Sequence, residues 1–440
     1  AEGFQTYAAD NTGTHAEGGS TTASGLCSHA EGQYTYASGN NSHTEGYYTT
    51  AIYFDIENRD DIAQHAEGYK TYAAGQGAHA EGINTTASGE GSHAQGKNTV
   101  ASGKASHAEG TYTTSTDSDE NIIYNSTTAS GVGSHAQGIS TTASGEGSHA
   151  EGYKALAIGS YAHAEGYSTC AYSVYSHTEG YKTTASDQCA HAEGWTTYAP
   201  GYVSHAEGFM TTASGYGSHA GGSYTSASGS YSHAEGIRTT ASGDYGSHAE
   251  GQNTLASGYY SHTEGNETTA SGSYGSHAEG NSTRASGYSS HAEGNCTKAS
   301  GTYSHTEGNY TTATGDFSHA SGMYTCASNH SSYVIGKYNA AMTDGGSYDS
   351  ATGTAFAIGN GTKTSKSNAF SVQFDGTVAA QSTITASTAA DYAEFFEWED
   401  GNPDNEDRVG KFVTLKGDKI LIASDPEDYI LGIVSGRPFV

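Results

Sequence analysis

The small, polar and apolar positions of this chain recur with a period of fourteen. The unit is S-H-A-E-G-x-x-T-T-A-S-G-x-x, as in Ser28-His29-Ala30-Glu31-Gly32 followed by Ala37-Ser38-Gly39. Within S-H-A-E-G, Ser and Ala alternate with His and Glu, the pattern of a strand with two unlike faces. Thr-Thr-Ala-Ser is a second β-permissive stretch, and each stretch runs into a Gly of the kind that tight corners use. A unit this short is too small for a helical repeat but fits one coil of a narrow roll, two short strands and two turns. The predicted fold is all-β, a parallel β-roll (solenoid) whose coils touch only their neighbours. Positions of the Ala30 and Ala37 type are expected to point inward, with His and Glu directed away from the roll's own interior.

Histidine opens 21 copies of the unit between His15 and His319. Most copies follow one another at the single period, as His29 does His15. The exceptions are the longer steps from His43 to His65 and from His107 to His135, and one extra residue before each of His248 and His277. Counting the step from His107 to His135 as two coils gives 22 registers, a rod on the order of 100 Å at the usual strand spacing. Beyond His319, Tyr333 and Ile335 take the His and Glu positions, as do Phe356 and Ile358 after an insertion, and Phe370 and Val372 stand one period further on. An aromatic and an aliphatic residue at three successive coils would be out of place on a wetted strand. The expectation is that this face is buried along the whole rod.

Phe356-Ala357-Ile358-Gly359, Tyr333-Val334-Ile335-Gly336 and Leu156-Ala157-Ile158-Gly159 resemble the A-I-G repeats of trimeric autotransporter adhesin heads. The resemblance covers residues 1 to about 375 and implies a left-handed roll that associates as a homotrimer. His and Glu occupy most positions that are aliphatic in those heads.

Composition supports association. The chain has 440 residues, 34% of them hydrophobic, with 61 Gly and 4 Pro. One thin roll of this make-up buries little apolar surface, so oligomerisation is expected. The formal charge of −30 disfavours nucleic acid and anionic membranes as partners. No apolar run is long enough to insert in a membrane. The chain opens in mid-repeat at Ala1-Glu2-Gly3, which reads as a segment of a longer polypeptide. Cys27, Cys170, Cys189, Cys296 and Cys326 share no register on adjacent coils and form no C-x-x-C pair, so intrachain disulfides and zinc knuckles are not expected.

The expected organisation is His/Glu-type roll over 1–322, an apolar roll end over 323–378, a Ser/Thr/Ala linker over 379–390 and a different β-module over 391–440. Two insertions interrupt the roll, near 52–64 and 113–126. The second adds one period and reads either as a degenerate coil or as a loop. Tyr53, Phe54, Asp55, Asp117, Asp119 and Tyr124 are the candidate receptor contacts, because loops on a rigid scaffold often carry function. Tolerated insertion and calcium binding are the competing readings, although the acidic residues lack EF-hand spacing.

In the last module, strands are predicted over 409–415, 419–423 and 429–434. The stretches D-Y-A-E-F-F-E-W from Asp391, E-D-R-V-G-K-F-V-T-L from Glu406 and Y-I-L-G-I-V-S-G from Tyr429 resemble the peptidase G2-type intramolecular chaperone and autoprocessing module of phage neck appendages and tail spikes. The resemblance implies a scissile bond between Ala390 and Asp391, with Asp391 and Glu394 dividing acid and base roles. Ala390 stands where a hydroxyl residue is expected in self-cutting members, so an uncut β-cap that closes the rod is the alternative.

Glu follows His by two in 17 of the 21 copies, Gln95 and Gln137 replace it twice, and Gly221 and Ser321 lose the long side chain. The Gln substitutions favour a structural polar ladder, with pairs such as His29/Glu31, His79/Glu81, His149/Glu151, His205/Glu207 and His291/Glu293. Metal ligation by threefold-related His and a pH response remain open. No cofactor is called for. A flat Thr ladder of the ice-binding kind is interrupted by Tyr36, Tyr72, Leu156, Arg284 and Lys298. Many of the 34 Tyr, among them Tyr153, Tyr167 and Tyr216, lie beside turns, where they suit glycan or protein contacts. The function expected is attachment or display: an extracellular fibre on a virion or cell surface, of the phage tail-fibre or bacterial adhesin kind, that binds a glycan or protein receptor. A self-cleaving fibre precursor is the enzymatic alternative. Acid is expected to loosen the His-rich coils before the apolar ones, through protonation of Glu.

Overall fold

A computed structural model describes residues 1–9, 12–52, 63–116, 122–342, 351–382, 396–424 and 430–434, with the backbone alone for 116 and 122–124. The chain divides into two units, Ala1–Ala379 and Ala380–Val440. No helix in the described residues is long and apolar enough to cross a membrane.

The first unit is a parallel β-solenoid. Each coil has a long strand that opens at His, such as His29–Gln33, and a short one, such as Tyr36–Ala37. Successive coils stack in register, His29 on His43 and Glu31 on Glu45, and Tyr36 on Thr50. Coil-to-coil hydrogen bonds continue through the corners, as where Tyr36 N–H donates to Thr49 O over 2.9 Å. The interior is filled by small groups. Ala30, Ala37 and Ser28 are fully buried, and Ser28 Oγ donates to Gly25 O over 2.8 Å to close its corner. Val334 is the only larger apolar side chain fully buried in this unit among the described residues.

The two motif glycines serve close approach more than turning. A Cβ at Gly89 would lie 2.0 Å from Gly103 O, although Gly89 has no positive φ. The left-handed residue of that corner comes two positions later and is often not glycine: Asn41, Ala105 and Tyr161 all occupy it. The Gly of H-A-E-G combines both demands. At Gly180, φ is +108° and a Cβ would lie 2.2 Å from Gly194 O.

Both insertions leave the stack unbroken. His43 pairs directly with His65, and His107 with His135. The second insertion is an antiparallel hairpin, Thr113–Thr116 against Ile122–Asn125. It contributes no coil, so 21 registers rather than 22 run from His15 to His319.

The end of the roll differs from the expectation of three apolar coils. Tyr333–Lys337 and Thr354–Asn360 stack in parallel, Tyr333 on Phe356 and Ile335 on Ile358. Asn368–Gln373 then runs antiparallel, with Phe356 opposite Val372 and Ile358 opposite Phe370. The reversal takes place in the polar segment 361–367, where Thr362 N–H donates to Ser365 O over 2.7 Å. No second strand of the Thr-Ala kind follows Thr354–Asn360 to complete a coil among the described residues. Val378–Ala380 pairs back on Asn368–Gln373 across a turn at Asp375-Gly376.

In the second unit, Phe412–Lys416 lies between Lys419–Ile422 and Gly432–Ile433, antiparallel to both. Arg408 is its electrostatic hub. It forms a bidentate pair with Asp400 at 2.9 and 2.7 Å, reaches Glu406 at 3.1 Å and stacks over Trp398. The hydrogen bonds from Arg408 hold the Asp400 carboxyl down at about 2, the expected result for a charge-assisted pair.

Candidate functional site

The in-register stacking converts one residue per coil into a column. The His rings lie face to face at close to the strand spacing, for example 4.8 Å and 2° between His79 and His93 and again between His93 and His107. A parallel column of Glu runs beside them on the same face. From Glu279 to Gly322 the Glu and Gly columns border a shallow groove.

Within one chain this face is half-open. Paired His side chains are 22–39% exposed. The contacts between His Nε2 and Glu are loose: 3.7 Å for His149–Glu151, 4.0 Å for His291–Glu293 and 3.3 Å for His233–Glu235. His29, His79 and His205 keep their Nε2 atoms away from water with no hydrogen-bond partner in the chain.

Two breaks in the His stack fall beside interruptions of the Glu column. Gly221 leaves His219 without a carboxylate in its own coil, and Nε2 of His219 lies 3.4 Å from Glu207 of the preceding coil. The stack breaks one coil on: His219 stays within 22° of His205, while His233 stands at 87° to His219 and 68° to His248. Beside Ser321, His319 contacts Glu307 at 3.7 Å and stands at 63° to His305. The backbone register of these coils is unchanged, so the imidazoles turn on a fixed frame.

Burial, and next to it the charge of neighbouring His, lowers the pKa of His29, His79 and His135. The same causes take His191 down to about 4. These rings are neutral at pH 7. Glu307 is also held low, chiefly by a hydrogen bond from Ser321. Several triads, such as His79–Glu81–His93 and His191–Glu193–His205, bring one donor atom from each member within 4.8 Å of the others. Neutral imidazole and carboxylate are the donor types that bind transition-metal dications.

Other candidates lie apart from this face. Tyr53, Phe54, Asp55, Asp117, Asp119, Asp391 and Glu394 fall outside the described residues, and Tyr124 has a described backbone only, opposite Thr114. The tyrosines form two separate columns that reading by neighbourhood missed. One follows H-A-E-G and includes Tyr153, Tyr167, Tyr181 and Trp195, stacked at 4.2–5.0 Å. The other follows A-S-G and includes Tyr274, Tyr288, Tyr303 and Phe317 at 5.0–5.6 Å. Their position within the repeat register was the available signal.

Comparison with known proteins agrees with this architecture. Residues 30–52, 66–92, 94–115, 136–162 and 249–274 match the YadA head domain repeat. Residues 340–440 match Peptidase_G2, the IMC autoproteolytic cleavage domain. That match begins upstream of the change in composition at Asp391. No curated protein matches the chain.

Proposed function

We propose that this chain, in which YadA head repeats lead into a Peptidase_G2 domain, forms a left-handed homotrimeric fibre for attachment or display on a virion or cell surface. The observation that carries the reading is the His/Glu face. Most of its Nε2 atoms, those of His29, His79 and His205 among them, lie out of water and lack hydrogen bonds within one chain, a costly state unless a partner surface completes them. Three copies meeting along this face supply the missing partners and turn the half-open columns into a polar core. The thin interior of Ala, Ser and Thr supports the same reading, since it buries too little apolar surface for so long a chain to stand alone. Peptidase_G2 domains are autoproteolytic, which favours a phage-appendage type of fibre, with contacts to a glycan or protein receptor through the two insertions and the exposed Tyr columns.

Light scattering with small-angle scattering tests the assembly. The expected particle is an elongated rod of about three times the 45.3 kDa chain mass; a compact monomer overturns the fibre reading.

The Peptidase_G2 match favours a second reading, a single self-cleavage between Ala390 and Asp391 with Asp391 and Glu394 as acid and base. Intact-mass measurement is expected to yield a fragment that begins at Asp391, and Asp391→Asn and Glu394→Gln to suppress it. A single full-length species after prolonged incubation of the wild type leaves the module as an uncut cap.

A further inference from the structure

The ladder has a property that a merely structural column would not need. At His79–Glu81–His93, two imidazole nitrogens and a carboxylate oxygen lie within 4.8 Å of one another, and the arrangement recurs at His65–Glu67–His79, His191–Glu193–His205, His262–Glu264–His277 and His277–Glu279–His291; the rings of His79 and His93 are parallel, so one must turn for both to face a single ion. The Nε2 atoms of His79 and His93 have neither water nor a hydrogen bond. The Glu side chains beside them are open to solvent, so an ion reaches the nitrogens once a ring turns. The rings also turn without disturbing the backbone, as the 87° break between His219 and His233 demonstrates on an intact register. We infer that these His–Glu–His triads are binding sites for a first-row transition-metal dication such as Zn²⁺.

The donor set selects the ion. Two nitrogens and one carboxylate oxygen suit Zn²⁺, Co²⁺ and Ni²⁺, whereas Mg²⁺ and Ca²⁺ prefer oxygen throughout. Three protein ligands leave one tetrahedral position for water or for a further side chain. Adjacent triads share a histidine: His79 belongs to two and His277 to two. A neutral imidazole offers one lone pair, so neighbouring coils cannot both be filled through the same ring. Occupancy is therefore spaced along the rod and stays well below the number of histidines. Each triad takes all its donors from one chain and is complete without a second copy; in the trimer an ion would stand in place of a partner's hydrogen bond to the same nitrogens.

The test uses the full chain, stripped with chelator and dialysed against Zn²⁺ or Mg²⁺, with bound metal measured by mass spectrometry of the digested protein. Co²⁺ serves as the spectroscopic probe. The expected result is more than one Zn²⁺ per chain, no retained Mg²⁺, and a visible Co²⁺ absorption of the intensity typical of four-coordinate sites. The comparison variant is Glu67→Gln, Glu81→Gln, Glu193→Gln, Glu264→Gln and Glu279→Gln combined. Gln95 and Gln137 already occupy this column, so the fold accepts the change. The variant is expected to retain less than half of the bound Zn²⁺ and to lose most of the Co²⁺ signal. Absence of retained Zn²⁺ in the wild type overturns the inference, as does a variant that binds as much as the wild type. Particle mass measured on the same samples keeps this result separate from the fibre reading.

Discussion

Gly180→Ala is expected to break the roll in its middle. The added Cβ meets Gly194 O at 2.2 Å, a contact with backbone that no side-chain rotation relieves, at a φ of +108° that L-residues rarely adopt. Relief requires separating two coils, which sacrifices their hydrogen bonds on both sides of the fault. The cost falls in the exceptional class above about 4 kcal/mol. Because each coil touches only its neighbours, the damage is expected to localise: limited proteolysis should cut near residues 177–195 while flanking coils persist. The matched control is Gly91→Ala. Gly91 is left-handed at +61° with nothing near its Cβ, and Ala105 holds the same register one coil on. If Gly180→Ala melts within about 2 °C of Gly91→Ala, a shift worth about 1 kcal/mol or less, the account of close coil approach is wrong.

Acidification is expected to open the His-bearing coils of metal-free protein well before the apolar end. Thirteen ladder histidines have a folded pKa below the ordinary 6.5, in each case first through burial. Neighbouring Glu pull the other way, but less. For such a group the folded state disfavours the proton. Above pH 6.5 both states are neutral and the full stability is present. As pH falls from 6.5 toward the folded value, about 4 at His191, the unfolded chain takes up protons first and stability is lost. Small losses summed over these thirteen sites give a steep transition. This places the onset higher than protonation of Glu would, because the imidazoles titrate first. Hydrogen exchange followed from pH 7 to pH 4 checks it: amides of the His coils should lose protection at least tenfold more than those of Tyr333–Lys337 and Thr354–Asn360. Equal protection of both regions at pH 4 would sink the explanation.

Much of this architecture was legible because its period is strict. Alternation in S-H-A-E-G placed Ala30 inside and His29 outside, and spacing alone placed each His over the next. What stayed hidden has identifiable causes. Phe370 and Val372 keep both the spacing and the alternation of a further parallel coil, yet they sit on an antiparallel strand; alternation carries no strand direction. The hairpin that starts at Thr113 happens to be one period long, so counting alone did not separate it from a coil. The Gly of A-S-G looked like a turning residue, whereas its demand is the close approach of the next coil's backbone, a contact that no single repeat contains. In the ladder, the columns could be read from the sequence. The ring turns at His233 and His319 could not, because spacing sets where a side chain starts and not how it rotates.

The two excursions leave and rejoin the roll at different corners. One departs after the short strand Thr50–Ala51 and returns at His65. The other departs after the long strand His107–Thr111 and returns at Thr127–Ala129. The two coils that are one residue longer than the rest also take up their extra residue at a corner, beside Tyr245 and Tyr274. In the His coils the long strand thus keeps its length while the corners take up the difference. The number of coils sets the length of the roll and the corners hold its additions, so either can change without altering the other.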